Sequence, residues 1–189
     1  MKNNTNKKPE GLALPEGAKP GPNCGVTAMA IAAGISFDSA WDILEKIHTN
    51  RRGGLLSNIK TKNNMFSKKI KFTGGTYDNE RREAYRKIGL KYKKFILKEI
   101  CNIAKFATKN KYAYNLNLKQ FVEWGAVKNK TYIVTTTHHV QVVKDGWVID
   151  QGGPKHIDEF NGKLKHVNEI LEVTKIRKAS KNNKYENKV

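Results

Sequence analysis

The chain predicts an α+β domain in which N-terminal helices pack on a C-terminal antiparallel β-sheet. Three observations point there. Helical apolar spacing dominates the first half of the chain. The richest run of Thr, Val, Ile and Tyr comes late, around an Asp145-Gly146 pair. The helical pattern comes first and the antiparallel strand pattern last, which is the order of an α+β domain. A length of 189 residues suits one domain with a sizeable core.

Residues 1–20 are polar, bear Pro and Gly and show no hydrophobic period, so they predict a flexible basic arm. The domain proper is expected over residues 21–176, and residues 177–189, "RKASKNNKYENKV", read as a disordered basic tail. Within the domain, Gly25 to Ala33 forms a helix of small apolar residues suited to burial on most sides, with Gly34 as its stop. Ser36 caps a second helix from Phe37 to about Ile47, whose Phe37, Ala40, Trp41, Leu44 and Ile47 recur at three- and four-residue spacing.

Residues 49–76 are basic and Gly-bearing and predict loops with one short strand at most. "RRGG" at 51–54 lacks the Lys-Ser/Thr ending of a phosphate-binding loop and reads as a flexible basic loop. Asp78 to Ile88 has helical character, "LKYKKFI" alternates like a strand, and "LKEICNIAKFA" returns to helical period with Cys101 on its apolar face. Cys101 is read as a small core hydrophobe. Leu118 to Trp124 predicts a short helix closed by Gly125.

Lys130 to Val143 is read as one strand, Asp145-Gly146 as a two-residue hairpin turn, and Trp147 to Gln151 as the returning strand. After Pro154, "LKHVNEILEVTKI" fits helix and strand about equally and is assigned to a closing strand.

Composition limits the chemistry. The formal net charge is +19, which favours a nucleic-acid or other acidic partner, because clustered Lys and Arg displace counterions from a polyanion. Lysine is nonetheless spread over the chain and accompanied by abundant asparagine, as codon bias in an AT-rich genome would produce, and no basic-aromatic motif of a known nucleic-acid reader occurs. No apolar run of about 18 residues is present, so no membrane role is expected, and the N-terminus lacks the apolar stretch of a signal peptide. A cytoplasmic protein is expected, with its two cysteines reduced. His48, His156 and His166 lack metal-ligand spacing to one another or to a cysteine pair, so no metal or other cofactor is called for.

The hairpin register selects a constellation. With Asp145-Gly146 as the turn, Lys144 pairs with Trp147, Val143 with Val148, Val142 with Ile149 and Gln141 with Asp150. Side chains alternate faces, so Asp150 shares a face with Gln141 and lies diagonally from His139, while His138 points the other way. A slip of one residue would reverse that choice. A histidine held by a carboxylate can take a thiol's proton. Cys24, in "GPNCGVTAMAIAAG", supplies a thiol just ahead of a helix, where unpaired amides favour the thiolate. Gly25 leaves room for a substrate carbonyl, and the Cys24 amide with a nearby donor such as Asn23 could hold an oxyanion. The plainer alternatives are a buried core cysteine at 24 and a strand histidine satisfied by its neighbour at 139. Trp147, just past the turn, either walls the site or covers the sheet.

An N-terminal "NCG" opening a buried small-residue helix, followed far along the chain by "HHVQVVKDGWVID", resembles the papain-like cysteine peptidase fold, and in particular small phage-encoded papain-like proteins. The likeness covers residues 22–48 and 116–151. Carried over residue by residue, it implies Cys24 as nucleophile, His139 as proton shuttle and Asp150 as the acid that orients it. Residues 16–20, "EGAKP", contain no glutamine where papain-like peptidases usually place an oxyanion donor, which leaves that role to Asn23 or Gln141. The resemblance implies a phage- or virus-encoded amide hydrolase acting on a peptide or protein, in a host cytoplasm or virion. Related folds also cleave peptidoglycan cross-links, remove ubiquitin-like modifiers or transfer acyl groups. The rival expectation is the same fold with little or no catalysis, serving as a virion-structural or nucleic-acid-associated binding protein.

Overall fold

A computed structural model describes residues 12–57, 71–100 and 116–175, with residues 8 and 102. Six strands form one sheet in the order β1-β6-β2-β3-β4-β5. They are β1 (Leu90–Lys94), β2 (Thr131–Thr136), β3 (His139–Lys144), β4 (Trp147–Asp150), β5 (Gly153–His156) and β6 (Val167–Lys175). Every adjacent pair is antiparallel. Helices α1 (Cys24–Ala33), α2 (Phe37–Ser57) and α3 (Asp78–Lys87) precede most of the sheet in sequence, and α4 (Leu118–Trp124) precedes β2. The α+β class with an antiparallel sheet is therefore observed.

Both faces of the sheet are covered, and the period-2 alternation of each strand divides the core in two. Ile133, Val140, Val142, Ile149, Leu171 and Val173 face a cluster completed by Val26, Met29 and Ala30 of α1 and by Phe37, Ala40 and Leu44 of α2. Tyr132, Val134, Val143, Val148 and Ile170 face the other way, onto Leu118 and Phe121 of α4 and onto Ile157 and Phe160. Each fully buried aliphatic or Phe side chain contributes about 1.5–3 kcal/mol, so the sheet's own alternation is the main fastening between its layers. Helix α1 is buried along nearly its whole length and ends at Gly34, whose φ of 62° is the left-handed conformation of a helix stop.

The β3–β4 register is Val142↔Ile149, Val143↔Val148 and Lys144↔Trp147, as the turn chemistry predicts, but the ladder stops there and the expected fourth pair, Gln141 with Asp150, is not part of it. Asp145 and Gly146 both have positive φ, 49° and 84°, the geometry of a two-residue turn matched to strand twist. The segment Lys130–Val143 departs from expectation. It is two strands, folded at Thr137–His138 so that Thr136 pairs with His139, and His138 takes a φ of 58° there. Thr, Val and His at 134–140 have the composition of one continuous strand, and nothing local except a histidine tolerant of the left-handed region marks the fold-back.

Three other expectations change. Residues 12–20 belong to the domain rather than to a free arm: Leu12 is buried in the α1–α2 core, the Phe37 amide donates to the Glu16 carbonyl, and Lys19 pairs with Asp38 at 3.0 Å. Helix α2 runs on to Ser57, so "RRGG" at 51–54 is helical, and Arg51 donates to Glu83 of α3 at 2.9 Å. That cross-helix pair, with the buried His48–Glu80 contact at 3.0 Å, offsets the helix cost of Gly53 and Gly54. The short β5 after Gly152 was not legible in the sequence. The reading of Cys101 and of the tail 177–189 falls outside the described residues, whereas β1, α3, α4 and the closing strand β6 form where their patterns predict.

Candidate active site

The site forms where the N-terminus of α1 meets the open end of the β3–β4 ladder. Cys24 is the first residue of α1, and no acidic residue occupies the helix's first turn, so the partial positive charge of that terminus is unopposed. The ladder between β3 and β4 begins only at Val142↔Ile149. Just beyond it, His139 and the Val140 amide lie where they act on the Cys24 thiol and lower its titration. The side chain of Gln151 donates to the Gly21 carbonyl at 3.1 Å, tying the segment before Cys24 to the turn after β4. Two stretches more than a hundred residues apart are thus fastened beside the thiol.

On the other side of the ring, His139 Nε2 donates to Asp150 Oδ2 at 3.1 Å. With Nε2 so engaged, Nδ1 is the ring nitrogen available to Cys24. Asp150 is itself positioned: its Oδ1 accepts the Gly152 amide at 2.8 Å, and a side chain at Gly152 would press on Oδ1 at 3.2 Å. The pair is only about a fifth exposed, which keeps its electrostatics from being screened away.

The ionisation of these groups follows from the packing. Burial pushes the Cys24 thiol up, but hydrogen bonds from His139 and the Val140 amide, with the charges of His139 and Arg81, outweigh it and hold the thiol below its ordinary value. His139 is pushed up to about 9 by its hydrogen bonds to Asp150 and to Cys24, against the opposing effect of burial. Asp150 is resisted by burial yet held below the usual carboxylate range by His139 and the Gly152 amide. These directions agree: each favours a thiolate–imidazolium pair backed by a carboxylate.

The other predicted residues fall differently. Asn23 is buried, donates through Nδ2 to the Lys19 carbonyl at 2.9 Å and accepts from Thr27 Oγ1 at 3.2 Å. Its amide therefore shapes the entry to α1 and keeps one N–H uncommitted. Gly25 is required for close packing, not for an open space: a Cβ there would lie 2.0 Å from Thr76 Oγ1 and 3.1 Å from Arg81 Cδ. Gln141 is fully buried on the face of β3 that also carries His139, and neither its Oε1 nor its Nε2 has a hydrogen-bond partner. Trp147 lies on the opposite face from Asp150, against the α1-side core, with its ring edge-on to His156 at 5.8 Å. Its place is over the sheet rather than beside the thiol. His138 is exposed in the β2–β3 turn.

Sequence reasoning missed Arg81. This buried residue of α3 donates to the Thr76 carbonyl at 2.9 Å, pairs with Asp78 and places its charge behind Cys24. No local signal separates it from Arg82, because only the packing of α3 on α1 decides which of two adjacent arginines turns inward. Among the described residues, no group of three or more His, Cys, Asp or Glu is placed to hold a metal ion, and no helix is long and apolar enough to cross a membrane. No protein-family model, curated protein or solved structure matches the chain.

Proposed function

We propose that this protein is a cysteine-dependent amide hydrolase of the papain-like type, acting on a peptide or protein substrate. The observation that supports this most directly is the alignment of three side chains: Cys24 at the start of a helix, its thiol held below the ordinary value by His139, whose Nε2 is held by Asp150. In this reading the Cys24 thiolate attacks the scissile carbonyl carbon. The oxyanion is received by the Cys24 amide, which stands in the first turn where a helix supplies no acceptor, and by the remaining N–H of Asn23. His139 delivers its proton to the departing amine. It then takes one from the water that attacks the thioester, regenerating the thiolate. Asp150 keeps the ring oriented through both steps.

Alkylation by iodoacetamide across pH tests this in wild type, Cys24→Ala and His139→Ala. Labelling at Cys24 is expected to persist well below the free-thiol midpoint of about 8.5 and to shift toward that value in His139→Ala. A Cys24 that labels with an ordinary midpoint, indifferent to His139→Ala, would overturn the proposal.

A further inference from the structure

Beside the His139–Asp150 pair lies a cavity of about 350 Å³, whose walls include His139, Asp150, Lys155, Phe160, Asn161 and Lys165. The size suits one side chain or a small polar group rather than a long segment. Phe160, buried in the sheet's second core, forms an apolar wall, and residue 162 is held to glycine because a Cβ there would meet the Phe160 ring at 2.6 Å. The polar part of the lining is unbalanced in charge. Its one carboxylate, Asp150, is committed to His139 and to the Gly152 amide. Lys155 and Lys165 add two positive charges to that wall; the charge of Lys155 reaches Asp150, and among the described residues neither lysine forms an ion pair within 4.0 Å.

Position says which part of a substrate would enter. The cavity opens on His139 and Asp150, and Cys24 is not part of its wall. In amide hydrolysis the acyl half is bonded to sulfur, while the amine half must lie against the group that protonates it, here His139. We infer that the cavity binds a carboxylate on the leaving-group side of the scissile amide, through Lys155 and Lys165. The inference rests on the hydrolase reading above and adds to it the class of amine the enzyme releases.

Microscopic reversibility gives a direct test, because an amine that attacks the acyl-enzyme enters through the site from which the leaving amine departs. Full-length protein would be acylated at Cys24 with p-nitrophenyl acetate, which transfers its acetyl group to sulfur and releases p-nitrophenolate. The thioester is then offered four amines: Gly-Glu amide, Gly-Gln free acid, Gly-Gln amide and Gly-Lys amide. In transfer the new C–N bond forms, the C–S bond breaks, sulfur leaves as thiolate and the amine proton passes to His139. At low salt, an acceptor bearing a carboxylate is expected to be acetylated about tenfold faster than the neutral or basic ones, the advantage falling as salt rises. Preference for Gly-Glu amide identifies a side-chain carboxylate, and preference for Gly-Gln free acid a chain terminus. The advantage should vanish in Lys155→Gln/Lys165→Gln, two exposed positions whose replacement does not threaten the core. Equal transfer to all four amines, or an advantage retained in the double variant, overturns the inference and leaves the hydrolase reading standing. Failure of Cys24 to acylate at all overturns the hydrolase reading, and this one with it.

Discussion

Asp150→Asn is the substitution that probes the site most sharply, because it keeps the side chain's shape and removes its charge. In the folded protein His139 rises from 6.5 to about 9, which corresponds to about 3 kcal/mol of preference for the imidazolium, at about 1.4 kcal/mol per tenfold. The hydrogen bond to Asp150 is the largest contribution to that rise and the bond to Cys24 the next. Removing the carboxylate should therefore lower the His139 titration by at least about one pH unit, and lower the equilibrium constant for passing the thiol proton to His139 about tenfold. Linkage sets the sign for stability. A histidine whose folded value is raised stabilises the fold fully below its unfolded value of 6.5, and that stabilisation is lost as pH rises through about 9. Asp150→Asn should consequently cost most at about pH 6 and little at about pH 10. NMR titration of the histidine rings, with His139 assigned by comparison with His139→Ala, gives the shift directly, and urea unfolding at the two pH values gives the stability. A His139 that titrates unchanged in Asp150→Asn, or a loss of stability that grows with pH, would refute the assignment of Asp150 as the group that holds the imidazolium.

Two further outcomes follow from the packing around the site. Gly25→Ala forces a Cβ to within 2.0 Å of Thr76 Oγ1, an atom whose own Cβ is also close at 3.2 Å; after the gain in helix propensity, a net loss of about 1–2 kcal/mol is expected in chemical unfolding, partly recovered in Gly25→Ala/Thr76→Ala. Full stability in the single variant would mean that the 74–76 segment does not rest on α1. Gln141→Leu replaces a buried amide that has no partner with an apolar group of similar size, so stability should be unchanged or raised by about 1 kcal/mol; a drop of comparable size would show that the amide has a buried partner after all.

The parts of the fold that were legible in the sequence rest on residues whose local conformational preference is explicit. Asp145-Gly146 is a turn because both positions need positive φ, and once the turn is fixed the register of β3 and β4, and with it the pairing of His139 rather than His138 with Asp150, follows from a period of two. The small residues of α1 and the stripe of α2 are equally explicit, since a helix buried on all sides and a helix buried on one face differ in composition. What the chain does not state is anything that depends on a distant partner. The fold-back at Thr137–His138, the inward turn of Arg81 rather than Arg82, the filling of the space at Gly25 by Thr76 and the placement of Trp147 over the far face each depend on contacts made across the fold. So does the seating of Leu12 in a core that sequence assigned to residues further on. Local propensity and periodicity are written into neighbouring residues and can be read there. The position of the thiol beside the imidazole exists only because α1 docks at the open end of a ladder built more than a hundred residues later, and the cavity on the other side of that imidazole only because residues 155–165 are brought against His139 and Asp150.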